Sequence, residues 1–150
     1  MKTTRRATRV PVASGADSVV AFSIDVSHGD DRSAEQWARA AFEGAPTGLR
    51  WLMVAGWRLA LGLRLGPLGS ADHILGWSIA GRNQDETVLE SRSSFVSAQN
   101  VFRREGTRLV WSTVVHYDRP IAKLIWPPVA LLHCRIAPYT LRRAANSWSG

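Results

Sequence analysis

Four histidines, one cysteine and a scatter of serines and carboxylates are the side chains of this 150-residue chain suited to moving protons, attacking carbon or holding a metal. His28, His73, His116 and His133 are spaced so that no two share one helix face or one strand pair by local geometry, and no metal site is expected. His28, Asp30 and Asp31 do cluster, but they precede a helix start near Ser33, where the helix dipole favours acidic side chains. Cys134 is the only cysteine, which excludes an intrachain disulfide and a cysteine metal cluster. It follows His133 directly, yet neighbours on a helix point about 100° apart, so the two make no thiolate–imidazole pair. Ser33, Ser91, Ser93, Ser94 and Ser97 lack a Gly-x-Ser-x-Gly elbow, and no paired-carboxylate pattern stands out. His116, Tyr117 or Glu90 would serve acid–base chemistry only if they pointed inward. No catalytic residue and no cofactor is assigned.

Binding is the chemistry for which the residue types are better suited. The chain carries seven tryptophans, and ligand pockets are mostly apolar and aromatic with a few polar groups that fix orientation. Trp57, Trp77, Phe95, Trp111 and Trp126 are the candidate walls, with Ser97, Thr113 and Val115 on the strands between them. His133 lies on the apolar side of the closing helix, where its polar tip would either orient a ligand or be satisfied by a backbone carbonyl. The same rings fill a core equally well, so a filled interior that leaves function to an interaction surface is the competing reading.

The elements that must position these residues follow from periodicity. Residues 19–26 alternate as a first strand. Ser33, with Gln36 three residues on, forms a capping-box pattern for a helix that buries Trp37, Ala40 and Ala41 and stops at Gly44 and Pro46. Thr47 is the expected cap of a second helix, whose Leu49, Leu52, Met53, Gly56, Trp57, Ala60 and Leu61 repeat at three-and-four spacing; apolar residues on its other side predict that protein covers most of it. Residues 74–81, 86–91, 95–104 and 107–118 read as four strands joined by short polar turns, hence antiparallel neighbours. In the last of them Leu109, Trp111, Thr113, Val115 and Tyr117 share the inward face, while Arg108 and His116 point away. A helical pattern over residues 119–146 closes the chain, with Ile121, Leu124, Ile125, Val129, Leu132, Ile136 and Tyr139 as its stripe. Pro127-Pro128 predicts a bend or break there.

One domain over residues 18–146 is expected, after a basic tail, residues 1–17, read as disordered. Lys2, Arg5, Arg6 and Arg9 of that tail supply four of the seven net positive charges, and with no zinc-finger, helix-turn-helix or ribonucleoprotein pattern in view nucleic acid is not the expected partner. The longest apolar stretch, residues 49–65, is cut by Arg58 and Arg64, so no integral membrane association is expected. No signal-peptide core follows the basic start, which places the protein in the cytoplasm.

Three stretches carry a family resemblance: Asp72-His73-Ile74-Leu75-Gly76-Trp77, then Thr113-Val114-Val115-His116-Tyr117, then Arg119-Pro120-Ile121-Ala122-Lys123-Leu124-Ile125-Trp126 through His133 to Pro138. Together they resemble an uncharacterised bacterial domain-of-unknown-function family within the START-like (SRPBCC, pollen-allergen-like) helix-grip superfamily, over most of residues 18–145. The resemblance implies an α+β fold in which a curved antiparallel sheet of five to seven strands wraps around the long C-terminal helix, with two short helices after the first strand. It also implies a small hydrophobic partner in the cavity between sheet and helix (a lipid, sterol or polyketide-like molecule), and, for a minority of members, cyclase or hydrolase activity there. Five strand candidates, where larger relatives have six or seven, imply a smaller or partly filled cavity.

Overall fold

The computed structural model describes residues 8–10, 16–27, 29–68 and 70–147. It is an α+β fold with one seven-stranded antiparallel sheet in the order β1-β2-β7-β6-β5-β4-β3. The strands are β1 (Thr8–Val10), β2 (Ser18–Asp25), β3 (His73–Ile74), β4 (Trp77–Arg82), β5 (Glu86–Arg92), β6 (Val96–Glu105) and β7 (Arg108–Tyr117). The helices are α1 (Ala34–Phe42), α2 (Thr47–Ala55) and α3 (Ala122–Asn146), and α2 runs on into a π-helical turn over Gly56–Ala60. The first long strand pairs with the last, Ser18 opposite Val115 and Asp25 opposite Arg108, which ties the two ends of the domain together.

Strict alternation sets the faces of the central strands. Leu109, Trp111, Thr113 and Val115 are buried, whereas Arg108 and His116 are exposed, as the period-two pattern predicts. The β6–β7 hairpin closes through Gly106, whose φ of 61° suits the first central position of a two-residue turn. β3 and β4 are two strands where one was expected, because Leu75 and Gly76 both take positive φ, 49° and 92°, and make a tight turn. Leucine disfavours that region, and burial of the Leu75 side chain offsets the strain.

The capping box forms: Ser33 Oγ accepts from the Gln36 N–H at 3.2 Å and Gln36 Oε1 accepts from the Ser33 N–H at 2.7 Å. Trp37, Ala38 and Ala41 of α1 are completely buried, and the Arg32 guanidinium lies 4.0 Å from the centre of the Trp37 ring.

Several expectations are corrected. Part of the stretch read as a disordered tail forms a strand, since Thr8–Val10 pairs with residues 21–23 of β2. Thr47 does not cap α2; Pro46 occupies that position, and the Thr47 hydroxyl accepts from Arg50 at 3.2 Å instead. Nor is α2 covered by protein: only Met53 and Val54 are buried in it, and none of the π-turn residues is. α3 is helical without interruption through Pro127, Pro128 and Pro138. The first two prolines are exposed, as are Lys123 and Leu124, so the carbonyls that lose their donors belong to residues on the solvent side of the helix. The buried face of α3 is also rotated from the expected stripe. Ala122, Trp126, Ala137, Thr140, Leu141, Ala144 and Ala145 point inward, while Ile121, Leu124, Leu132 and Tyr139 are exposed. Small residues let α3 approach β2 and α1 closely, and the larger aliphatic side chains are left on the outside.

Candidate functional site

A cavity of about 70 Å³ lies between the inner face of β6 and β7, the π-turn and the middle of α3. Period-two geometry brings Ala98 and Asn100 of β6 beside Val115 and Thr113 of β7 on this face, and Trp111 follows next to Phe102. From the helical side Trp57, Trp126, Val129 and His133 close the space, with Phe42 and Trp77 at its edges. The rings form a connected chain: Trp77 to Trp57 at 5.5 Å, Trp57 to Phe42 at 5.6 Å, Phe42 to Trp111 at 5.3 Å and Trp111 to His133 at 5.6 Å. Most of these contacts are tilted or edge-on, an arrangement aromatic quadrupoles favour.

One polar chain crosses this apolar wall. Trp111 Nε1 donates to Asn100 Oδ1 at 2.9 Å, Thr113 Oγ1 lies 2.7 Å from the same oxygen, and Thr113 Oγ1 lies 2.9 Å from His133 Nε2. An indole N–H only donates, so it fixes the orientation of the Asn100 amide. The Thr113 hydroxyl must then donate to that oxygen, and having one proton it can only accept from the histidine. His133 therefore carries its proton on Nε2, with Nδ1 left as an acceptor. Burial pushes the His133 pKa down to about 4, so the ring is neutral near pH 7. The two Asn100 amide N–H groups have no hydrogen-bond partner among the described residues, although Asn100 lines the cavity.

Of the residues expected to line a pocket, Trp57, Trp77, Trp111, Thr113, Trp126 and His133 are brought together around this space. Three are not. Val115 is fully buried in the core on the same face but beyond the cavity, and Phe95 packs against the core at its edge. Ser97 is on the opposite face, paired with His116 and hydrogen-bonded to Asp118, because a strand residue one position from Ala98 points the other way. Asn100 was missed. Its signal was its place opposite Thr113, two residues from Ala98 and Phe102, an inward polar residue among apolar ones.

The other candidates are built for structure or face solvent. Asp30 is buried against Arg32 at 2.8 Å; burial alone would raise its carboxyl, but the Arg32 hydrogen bonds and charge outweigh that and hold it below the ordinary carboxylate range. Arg32 goes on to donate to the Ala144 carbonyl at 3.0 Å, so the Asp30 turn anchors α3. His28 lies outside the described residues. His116 and Glu90 are exposed on the outer face, and Cys134 is a partly buried free thiol packed against the core. No group of three or more potential metal ligands occurs among the described residues. No helix among the described residues is long and apolar enough to cross a membrane.

No family model matches the chain, and no curated protein matches it. Among solved structures, an uncharacterised protein from Rhizobium leguminosarum is similar at 15% identity, covering 97% of this chain and all 100% of that one, with a TM-score of 0.40.

Proposed function

We propose that this protein is a START-like, helix-grip binding module that holds a small hydrophobic molecule bearing one hydrogen-bond acceptor between β6, β7 and α3. The observation that carries the reading is the unspent Asn100 amide beside the Trp111–Asn100–Thr113–His133 chain in an otherwise apolar, aromatic cavity. A carbonyl, ether or hydroxyl oxygen would accept from Asn100, and the rings would cover the apolar body of the ligand. The element order, a strand, two helices, antiparallel strands and a closing helix, supports the same reading.

At about 70 Å³ the cavity is well below the several hundred Å³ of a typical drug-sized site. Binding a larger molecule therefore requires α2 and its π-turn to swing outward, and their sparse burial favours that motion. The same volume favours a second reading, a filled core whose function lies at the surface. An enzyme of the cyclase or hydrolase kind has less support, since no carboxylate among the described residues lines the cavity beside His133.

Gly56 separates the two leading readings. It borders the cavity, and a Cβ built there meets no atom within 4 Å. Gly56→Leu should fill the space while removing a helix-destabilising glycine worth about 1 kcal/mol. The expected outcome is saturable, single-site binding of an apolar fluorophore by the natural sequence, with a negative heat-capacity change, and at least a roughly tenfold loss in the variant at equal or higher melting temperature. An absence of saturable binding by the natural sequence would favour the filled core.

A further inference from the structure

We infer that the face shared by α2, its π-turn and α3 docks on an anionic lipid bilayer surface. Two independent features meet on this face. The first is apolar exposure: Leu59 is 86% exposed, Leu124 74% and Leu131 71%, and Leu124 and Leu131, seven residues apart, share one side of α3, so the exposed apolar side chains form a group rather than a scatter. Leu52 and Leu132 border the cavity from the two helical elements and are themselves about half exposed, 49% and 45%, so the apolar surface runs across from one element to the other.

The second feature is charge. Residues 44–71 contain Arg50, Arg58 and Arg64 and no acidic residue; residues 119–150 contain Arg119, Lys123, Arg135, Arg142 and Arg143 and again none. All twelve acidic residues of the chain therefore lie outside these two segments. None of the eight cations takes part in an ion pair among the described residues. Elsewhere four arginines are paired, Arg32 with Asp30, Arg39 with Glu35 and Glu43, Arg82 with Glu35 and Asp72, and Arg103 with Glu86, while Arg104 and Arg108 are held by the Arg32 carbonyl and the Ser23 hydroxyl.

The exposed leucines and the exposed cations beside them in sequence, Arg58 next to Leu59, Lys123 next to Leu124 and Arg135 one helical turn after Leu131, match an interface that is negative at its surface and apolar just beneath it. A second copy of the chain fits poorly, because a two-fold interface would set a face on which cations outnumber the single bordering carboxylate, Glu43, against itself. Nucleic acid would accept the arginines but leave the leucines against phosphate and sugar. Docking of this kind is peripheral, and it stands whether or not the cavity takes a ligand.

The test is co-sedimentation of the full chain with phosphatidylglycerol–phosphatidylcholine vesicles and with pure phosphatidylcholine vesicles. Binding to the anionic vesicles alone, weakened by salt, and reduced roughly tenfold or more by Leu59→Glu together with Leu131→Glu, is the expected result. Both leucines are exposed, so circular dichroism should show the variant folded as before. A companion variant with Lys2, Arg5, Arg6 and Arg9 changed to Gln should still bind. The inference is overturned if the anionic vesicles are not bound, if the glutamate pair leaves binding unchanged, if the tail variant abolishes it, or if the leucines instead prove to hold a dimer in solution.

Discussion

A neutral histidine held by one hydroxyl makes a specific statement about pH. In the unfolded chain His133 titrates near the ordinary value of 6.5, whereas in the folded protein it resists protonation down to about 4. As pH falls from 6.5 toward 4 the unfolded state takes up the proton first, so stability supplied by the neutral ring is complete above 6.5 and is lost across that window, by ~3 kcal/mol at most. His133→Gln should flatten the urea midpoint between pH 7 and pH 4.5 relative to the natural sequence; a midpoint with the same slope in both would disprove the assignment. Asp30 acts in a lower window, since its depressed carboxyl supports folding above the ordinary carboxylate value and loses that contribution as pH falls through the folded value. At this scale the sequence was legible wherever alternation was strict. Trp111 and Thr113 fell on the correct face because β7 alternates along its length, whereas Ser97 was placed one residue out of register and Asn100 went unread. A polar residue inside a strand carries no sign of burial until its partner strand is known.

Among the elements, α1 was legible to its capping box because Ser33 and Gln36 act over three residues and nothing distant intervenes. α3 was legible as the closing helix but not in its buried face, and the reason is composition. It is apolar on more than one side, so the three-and-four stripe of large residues competes with a stripe of small ones, and packing against β2 and α1 selects the small one. The Leu75-Gly76 turn was hidden for a similar reason: tertiary burial holds a leucine where local preference would place asparagine or aspartate. The prolines of α3 yield a prediction. Pro128 removes the donor to the Leu124 carbonyl, costs roughly 3 kcal/mol in a helix interior, and returns part of that by restricting the unfolded chain. Its ring is exposed, so Pro128→Ala should raise stability by about 1 to 2 kcal/mol in chemical denaturation. A fall in stability would mean that the path of α3 over the sheet depends on the backbone φ that proline fixes at this position.

Taken as a molecule, the protein has a firm half and a loose half, and the cavity lies on the seam between them. The firm half is the sheet, where all of β2 pairs with residues 108–115 of β7 and β6 pairs with β7 along their whole lengths, closing a loop of most of the domain. Loop-closure entropy makes such non-local pairings slow to form, and opening them means unfolding the whole domain. The loose half is α2 with its π-turn, anchored by the buried Met53 and Val54 and by Trp57, whose ring packs on Phe42 and Trp77. Local opening free energies follow buried apolar contact, so this segment should open well before the sheet does. Amide hydrogen exchange tests the consequence: residues 49–60 should exchange at least about a hundredfold faster than the central residues of β6 and β7, a difference of about 3 kcal/mol. Addition of an apolar probe that fills the cavity should slow the 49–60 amides and leave the sheet amides, already near the global limit, almost unchanged. Equal protection of both halves without the probe would rule out α2 and its π-turn as the part that yields, and a cavity of about 70 Å³ with rigid walls would admit nothing larger than a few water molecules.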